Sequence, residues 1–132
     1  MEQIINYIPE ILLLLFLIIT FLQSSLEKVF NWAGNLSWLK GHFKDTPLQN
    51  LVSFLLVTLL LMEFAAGLVC LLGVLQLAVT GDHTIAFYGA IVSSLTFLML
   101  LFGQRIAKDY EGAKTIVIYF IPAVFLVYLL QP

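Results

Sequence analysis

The sequence predicts an all-α integral membrane protein: an antiparallel bundle of four spanning helices, with a short interfacial helix between the first and the second. Three observations predict it. Of the 132 residues, 61% are hydrophobic and 11% charged, against about 25% charged in soluble domains. Mean hydropathy is +1.03, so there is too little polar material to cover a water-facing surface. The apolar residues fall in four runs, each long enough for a hydrocarbon core of about 30 Å, which takes about 20 helical residues. The charges collect between these runs and at their ends, with Glu63 the exception.

The first span covers about residues 4–27. Residues 11–26 carry no charge, and the lead MEQIINYIPE holds no Lys or Arg. No small-residue cleavage signature follows, so a retained span is expected here and not a signal peptide. The second span covers about 48–79, with Thr46 and Pro47 as an N-cap and first-turn pair and Gly81 as the C-terminal stop. The third covers about 84–104, with Asp82 able to cap its start, and the fourth about 113–130. That last span contains Pro122, which membrane helices tolerate. Short joints at Asp82 and at residues 110–112 make consecutive helices antiparallel neighbours.

The first joint is longer. In it Trp32, Leu36, Leu39 and Phe43 recur at intervals of four, three and four, while Lys40 and Lys44 fall outside the stripe. That spacing predicts a short amphipathic helix lying in the interface, limited by Gly34 and Gly41; an irregular loop dipping both tryptophans into the headgroups is the alternative. With no internal repeat, low-complexity tract or linker, residues 1–132 read as one transmembrane domain.

All six Lys and Arg residues fall in two joints: Lys28, Lys40 and Lys44 in the first, Arg105, Lys108 and Lys114 in the third. The positive-inside rule places that side in the cytoplasm and both termini outside. Tyr7, Tyr88 and Tyr128 then mark the outer boundary, and Trp32, Trp38 and Tyr110 the inner one. A net charge of -2 without a dense basic cluster excludes nucleic acid as a partner. The lone Cys70 excludes an intramolecular disulfide, a C-x-x-C pair and a thiolate metal site. No P-loop, Ser-His-Asp set or metal box is visible. His42 and His83 fall on opposite faces, cannot share one ligand, and read as exposed loop residues. The expected partners are the bilayer and a membrane protein or a second copy; the only cofactor class left open is a bound lipid or quinone.

Glu63 lies between residues 46–62 and 64–81, all uncharged, close to the bilayer midplane. An acid there costs about 2.5–3.5 kcal/mol on insertion scales and should face the bundle interior. Desolvation favours its neutral form unless a cation reaches it. Ranked by depth, its expected partners are Ser93 or Ser94 on the third span and, on the fourth, the carbonyl of Ile118, which Pro122 deprives of its helical donor. Such a knot either holds helices together or carries protons or a ligand. Ala66, Cys70 and Gly73 follow one face of the second span, and Gly89 and Ser93 form a small-xxx-small pair on the third, both expected as helix contact surface. The polar stretch GQRIAKDYEG, with Arg105, Lys108, Asp109 and Glu111, reads as a snorkelling, salt-bridged helix end. It also reads as a docking surface or an anionic-headgroup site.

Three segments in order, QSSLEK, MEFAAGLVCLLG and GQRIAKDYEG, resemble the DoxX family of small four-helix bacterial membrane proteins, particularly its Bacteroidetes forms. The resemblance covers almost the whole chain. It matches Ser24, Ser25 and Lys28 to a small-residue pair followed by lysine, with Ser25 where glycine is common, and matches Glu63, Gly67 and Gly73 to the family's acid and glycines. It implies an accessory, non-catalytic subunit beside a quinone-linked oxidoreductase. The competing expectation is a small proton-coupled transporter using Glu63. No residue in the chain reads as a catalytic or redox centre.

Overall fold

The structure, a computed structural model, describes residues 2–132. Six helices follow in order: α1 (Glu2–Asn6), α2 (Ile8–Phe30), α3 (Trp32–His42), α4 (Val52–Thr80), α5 (Thr84–Ile106) and α6 (Tyr110–Leu130), with a 3-10 turn at Gln49–Leu51 leading into α4. No strand forms among the described residues. Four helices are long and apolar enough to cross a membrane: α2, α4 with its leading turn, α5 and α6. The all-α four-helix bundle is therefore the observed fold.

Several boundaries move from where the sequence places them, each for a local reason. The first span breaks at Tyr7 because Pro9, in the first turn of α2, lacks an N–H and disfavours continuous helix before it. Its other end runs on to Phe30. Thr46 does not cap the second span. Its hydroxyl donates to the Phe43 carbonyl (2.7 Å) and accepts from the Leu48 amide (3.2 Å), closing a turn ahead of the 3-10 segment. Gly81 does end α4, in the left-handed conformation at φ 76° that glycine adopts without a Cβ penalty. Asp82 accepts from the Thr84 amide at 3.0 Å and from its hydroxyl at 2.7 Å, which satisfies an orphan donor at the start of α5. The fourth span begins three residues earlier than expected, at Tyr110, because Asp109 is its N-cap and accepts from the Gly112 amide at 2.9 Å.

The helix between the first and second spans is real, and it runs the full length from Trp32 to His42. The stripe legible in the sequence is its inward face: Trp32, Leu36 and Leu39 are half-buried and Phe43, just past its end, is buried, whereas Lys40 and Trp38 are exposed.

The spanning helices form a ring in which α2 packs on α4, α4 on α5, and α5 on α6, while α6 closes back on α2. Antiparallel neighbours are evident from the residues that meet: Gly67 against Leu22, Gly73 against Ala86, and Phe97 against Tyr119. The centre is filled. Phe21 of α2 and Phe97 of α5 sit 4.8 Å apart across the ring, and Tyr119 and Phe16 extend this aromatic core, each such pair adding about 0.5–1.5 kcal/mol beyond area burial. Outward faces carry exposed apolar residues such as Leu12, Ile19, Leu61, Leu75, Ile121 and Phe125, a surface suited to lipid and not to water. All six Lys and Arg lie at or near the end where α2 and α5 finish and α4 and α6 start, the basic end of the bundle.

Candidate functional site

Side chains on a helix lean toward its N-terminus. In an antiparallel pair this makes the leanings opposite, and at the α2–α4 contact the effect brings two charges together. Lys28, near the basic end of α2, leans back into the span, where its Nζ donates to Ser24 Oγ one turn earlier at 2.7 Å. Glu63 on α4 leans toward the basic end. The two meet with Nζ 3.1 Å from Glu63 Oε1 and 3.3 Å from Oε2. The ammonium thus donates to Ser24 Oγ and Glu63 Oε2, with Oε1 within ion-pair distance. Glu63's side chain is 3% exposed and that of Lys28 15%, so the pair is closed on the carboxylate side and reachable only along the lysine stem.

This replaces the polar knot expected from depth alone. Ser93 and Ser94 are buried, but each hydroxyl donates to its own helix, Ser93 to the Gly89 carbonyl at 2.7 Å and Ser94 to the Ala90 carbonyl at 2.9 Å. A buried serine in a helix has that acceptor at hand and needs no partner across the bundle. Ser93 also lies 3.5 Å from Cys70 Sγ. Pro122 sits inside α6, diagonal to α4 in the ring, and Ile118 faces outward; neither makes a bond to Glu63. The cation that reaches Glu63 is the lysine that the sequence placed in a joint. Ser25, its neighbour, is fully buried and donates to the Phe21 carbonyl at 2.7 Å. The signal that finds the pair in the sequence is Ser24-x-x-x-Lys28: a lysine one turn beyond a serine at a span's end reaches inward.

The small-residue stripe is contact surface. A Cβ on Gly73 would stand 2.6 Å from the Ala86 Cα, and one on Gly89 3.0 Å from Cys70 Sγ, so the α4 and α5 backbones touch at these points.

A second polar cluster joins α3 to the α5–α6 corner. His42 Nε2 lies 2.8 Å from Gln104 Oε1 and 3.6 Å from Asp109 Oδ2. Trp38 stacks on the imidazole at a centroid distance of 4.5 Å, and Phe43 meets it edge-on at 5.2 Å. His42 is therefore not an exposed loop residue: it is the last residue of α3, with a side chain 14% exposed. The sequence gives no clue to this, because Gln104 is 62 positions away. His83 does lie at the opposite end, half-buried beside the Tyr7 ring.

GQRIAKDYEG forms the corner itself. Asp109 caps α6, and Arg105 lies over the Tyr110 ring at 5.0 Å. Lys108 takes a positive φ of 60° at the turn. The expected salt-bridged helix end is not what forms: among the described residues Arg105, Lys108 and Glu111 have no ion pair, and the acid at this corner is used for capping and for His42. No group of three or more His, Cys, Asp or Glu that could hold a metal ion occurs among the described residues. No family model, curated protein or solved structure matches the chain.

Proposed function

We propose that the chain is a DoxX-like protein of the bacterial inner membrane, serving as an accessory or structural subunit of a membrane complex beside a quinone-linked oxidoreductase. The observation that carries this reading is the Lys28–Glu63 pair. It joins QSSLEK to MEFAAGLVCLLG, two of the three segments on which the resemblance rests, and gives Lys28 and Glu63 one shared structural purpose. A carboxylate already paired with a lysine, itself held by Ser24, has no need to take up a proton in order to be stable in the bilayer. The third segment organises the neighbouring corner. With all six cations at the basic end, the positive-inside rule puts that end in the cytoplasm and both termini outside. Purification from native membranes in a mild detergent tests the reading: one stoichiometric heteromeric partner with oxidoreductase activity supports it, and a chain that migrates alone or only with itself overturns it.

Lys28's residual exposure favours one competing reading, a small proton-coupled transporter in which Glu63 and Lys28 trade a proton with substrate entering from the basic end. Glu63→Gln separates the two. A folded variant that keeps its partner and its complex's activity supports the subunit, whereas a folded variant that loses ligand-linked proton release supports transport.

A further inference from the structure

A cavity of about 220 Å³ opens between α3, α4 and α5 at the basic end. It exceeds the roughly 150 Å³ apolar cavity that takes up benzene, so a substituted six-membered ring fits. Its walls are apolar, with Phe43, Leu56, Leu59 and Met99 among them, and the polar side chains on them are His42, Gln104 and the indole of Trp38. No Lys, Arg, Asp or Glu lines it, so an anionic headgroup would find no countercharge there.

The hydrogen-bonding state of His42 narrows the occupant further. Its Nε2 faces two oxygens, Gln104 Oε1 and Asp109 Oδ2, and both are acceptors. Nε2 therefore carries the hydrogen, and in the neutral ring Nδ1 is left as an acceptor. No protein atom among the described residues bonds Nδ1, and no side-chain nitrogen or oxygen is buried without a partner, so Nδ1 is open to contact from outside the protein. Trp38 holds the ring plane by stacking. A ligand that completes this corner must donate a hydrogen bond, stay neutral, and present an aromatic or apolar body to the leucine and phenylalanine walls.

We infer that this cavity is a binding site for the hydroxylated aromatic ring of a membrane-soluble molecule, with His42 as acceptor of the ring hydroxyl. The inference rests on the cavity and its polar corner alone, and stands whatever complex the chain joins.

Three probes differing in one feature test it on the full chain in phosphatidylcholine nanodiscs: 4-hexylphenol, its methyl ether 4-hexylanisole, and 4-hexylcyclohexanol. Calorimetric titration is corrected by empty nanodiscs. The phenol should bind about five-fold or more tightly than the ether, since one neutral hydrogen bond contributes about 1 kcal/mol, and more tightly than the saturated alcohol. His42→Phe should bring the phenol down to the level of the ether. Gly103→Leu, at a lining position where a Cβ meets only Phe43 at 3.6 Å, should fill the cavity and abolish binding of all three. Equal binding of phenol and ether to the unaltered chain overturns the role of His42, equal binding of phenol and cyclohexanol overturns the aromatic ring, and saturable binding that survives Gly103→Leu overturns the site. If His42→Phe fails to fold, the ratio of phenol to ether on the unaltered chain still decides.

Discussion

The two halves of α4 hold their neighbours by opposite means. Toward the basic end, Glu63 reaches across to α2 by a charge pair between long side chains, and nearer that end Leu55, Leu56 and Leu59 line the cavity under α3. Toward the other end, Gly73 and Cys70 press against Ala86 and Gly89 of α5 at backbone contact, leaving no room at all. In lipid there is no hydrophobic drive to bring helices together, so both solutions rely on direct contact. They fail differently. Charge pairing tolerates movement but not the loss of one partner, whereas backbone contact tolerates no added atom.

Removing one member of the pair should therefore have the largest effect. Lys28→Met leaves Glu63 buried without its cation and should destabilise the bundle by about 3 kcal/mol, read as loss of folded protein in a denaturation series in detergent micelles. The double variant Lys28→Met with Glu63→Leu should recover most of that loss, because an apolar pair has nothing to desolvate. A double variant as unstable as the single would show that the charge pair itself, and not the orphaned acid, sets stability.

Gly73→Ala comes next. The added methyl would stand 2.6 Å from the Ala86 Cα, and backbone cannot move aside as a side chain can, so about 1–3 kcal/mol should be lost through forced separation of α4 and α5. Gly67→Ala meets the Leu22 side chain closely and the Leu22 backbone only at an ordinary 3.5 Å; the side chain can change rotamer, so the cost should be less. Equal losses at the two positions would contradict the contrast between rigid and yielding contacts.

The smallest effect lies outside the membrane. Hydrogen bonds from the Thr84 hydroxyl and amide hold the Asp82 carboxyl below its usual range, so the charged form is the one that folding favours. Its contribution is present above the unfolded pKa and is lost as pH falls through the lower, folded value. The stability difference between the unaltered chain and Asp82→Ala should accordingly narrow below about pH 4, followed by melting temperature between pH 6 and pH 3. A difference independent of pH would mean that Asp82 acts without its charge.

Much of this architecture is visible in one dimension. The four runs, the stripe from Trp32 to Phe43, the stop at Gly81 and the small residues of α4 and α5 each depend on neighbours within a turn or two, and those neighbours are adjacent in sequence. Glu63 is identifiable as the exceptional residue for the same reason. Depth alone misses its partner and points to Ser93, Ser94 and the Ile118 carbonyl on the third and fourth spans. It also counts Lys28 as part of a joint, since it ignores the lean of side chains along a helix. The caps show the same divide on a smaller scale: Asp82 is recognisable before its helix, while Asp109, hidden in a charge-rich stretch, reads as part of a surface.

By itself the sequence determined that this chain is a four-span helical bundle with one end basic and an acid in its second span, because hydropathy and helical periodicity are local properties. Only the tertiary structure decided that the acid pairs with Lys28 on α2, that the serines bond their own helices, and that His42 meets Gln104 and Asp109 beside a cavity. The Lys28 and His42 contacts join residues 35 to 67 positions apart, and which of many compatible polar groups meet is set by how antiparallel helices register and which way their side chains lean.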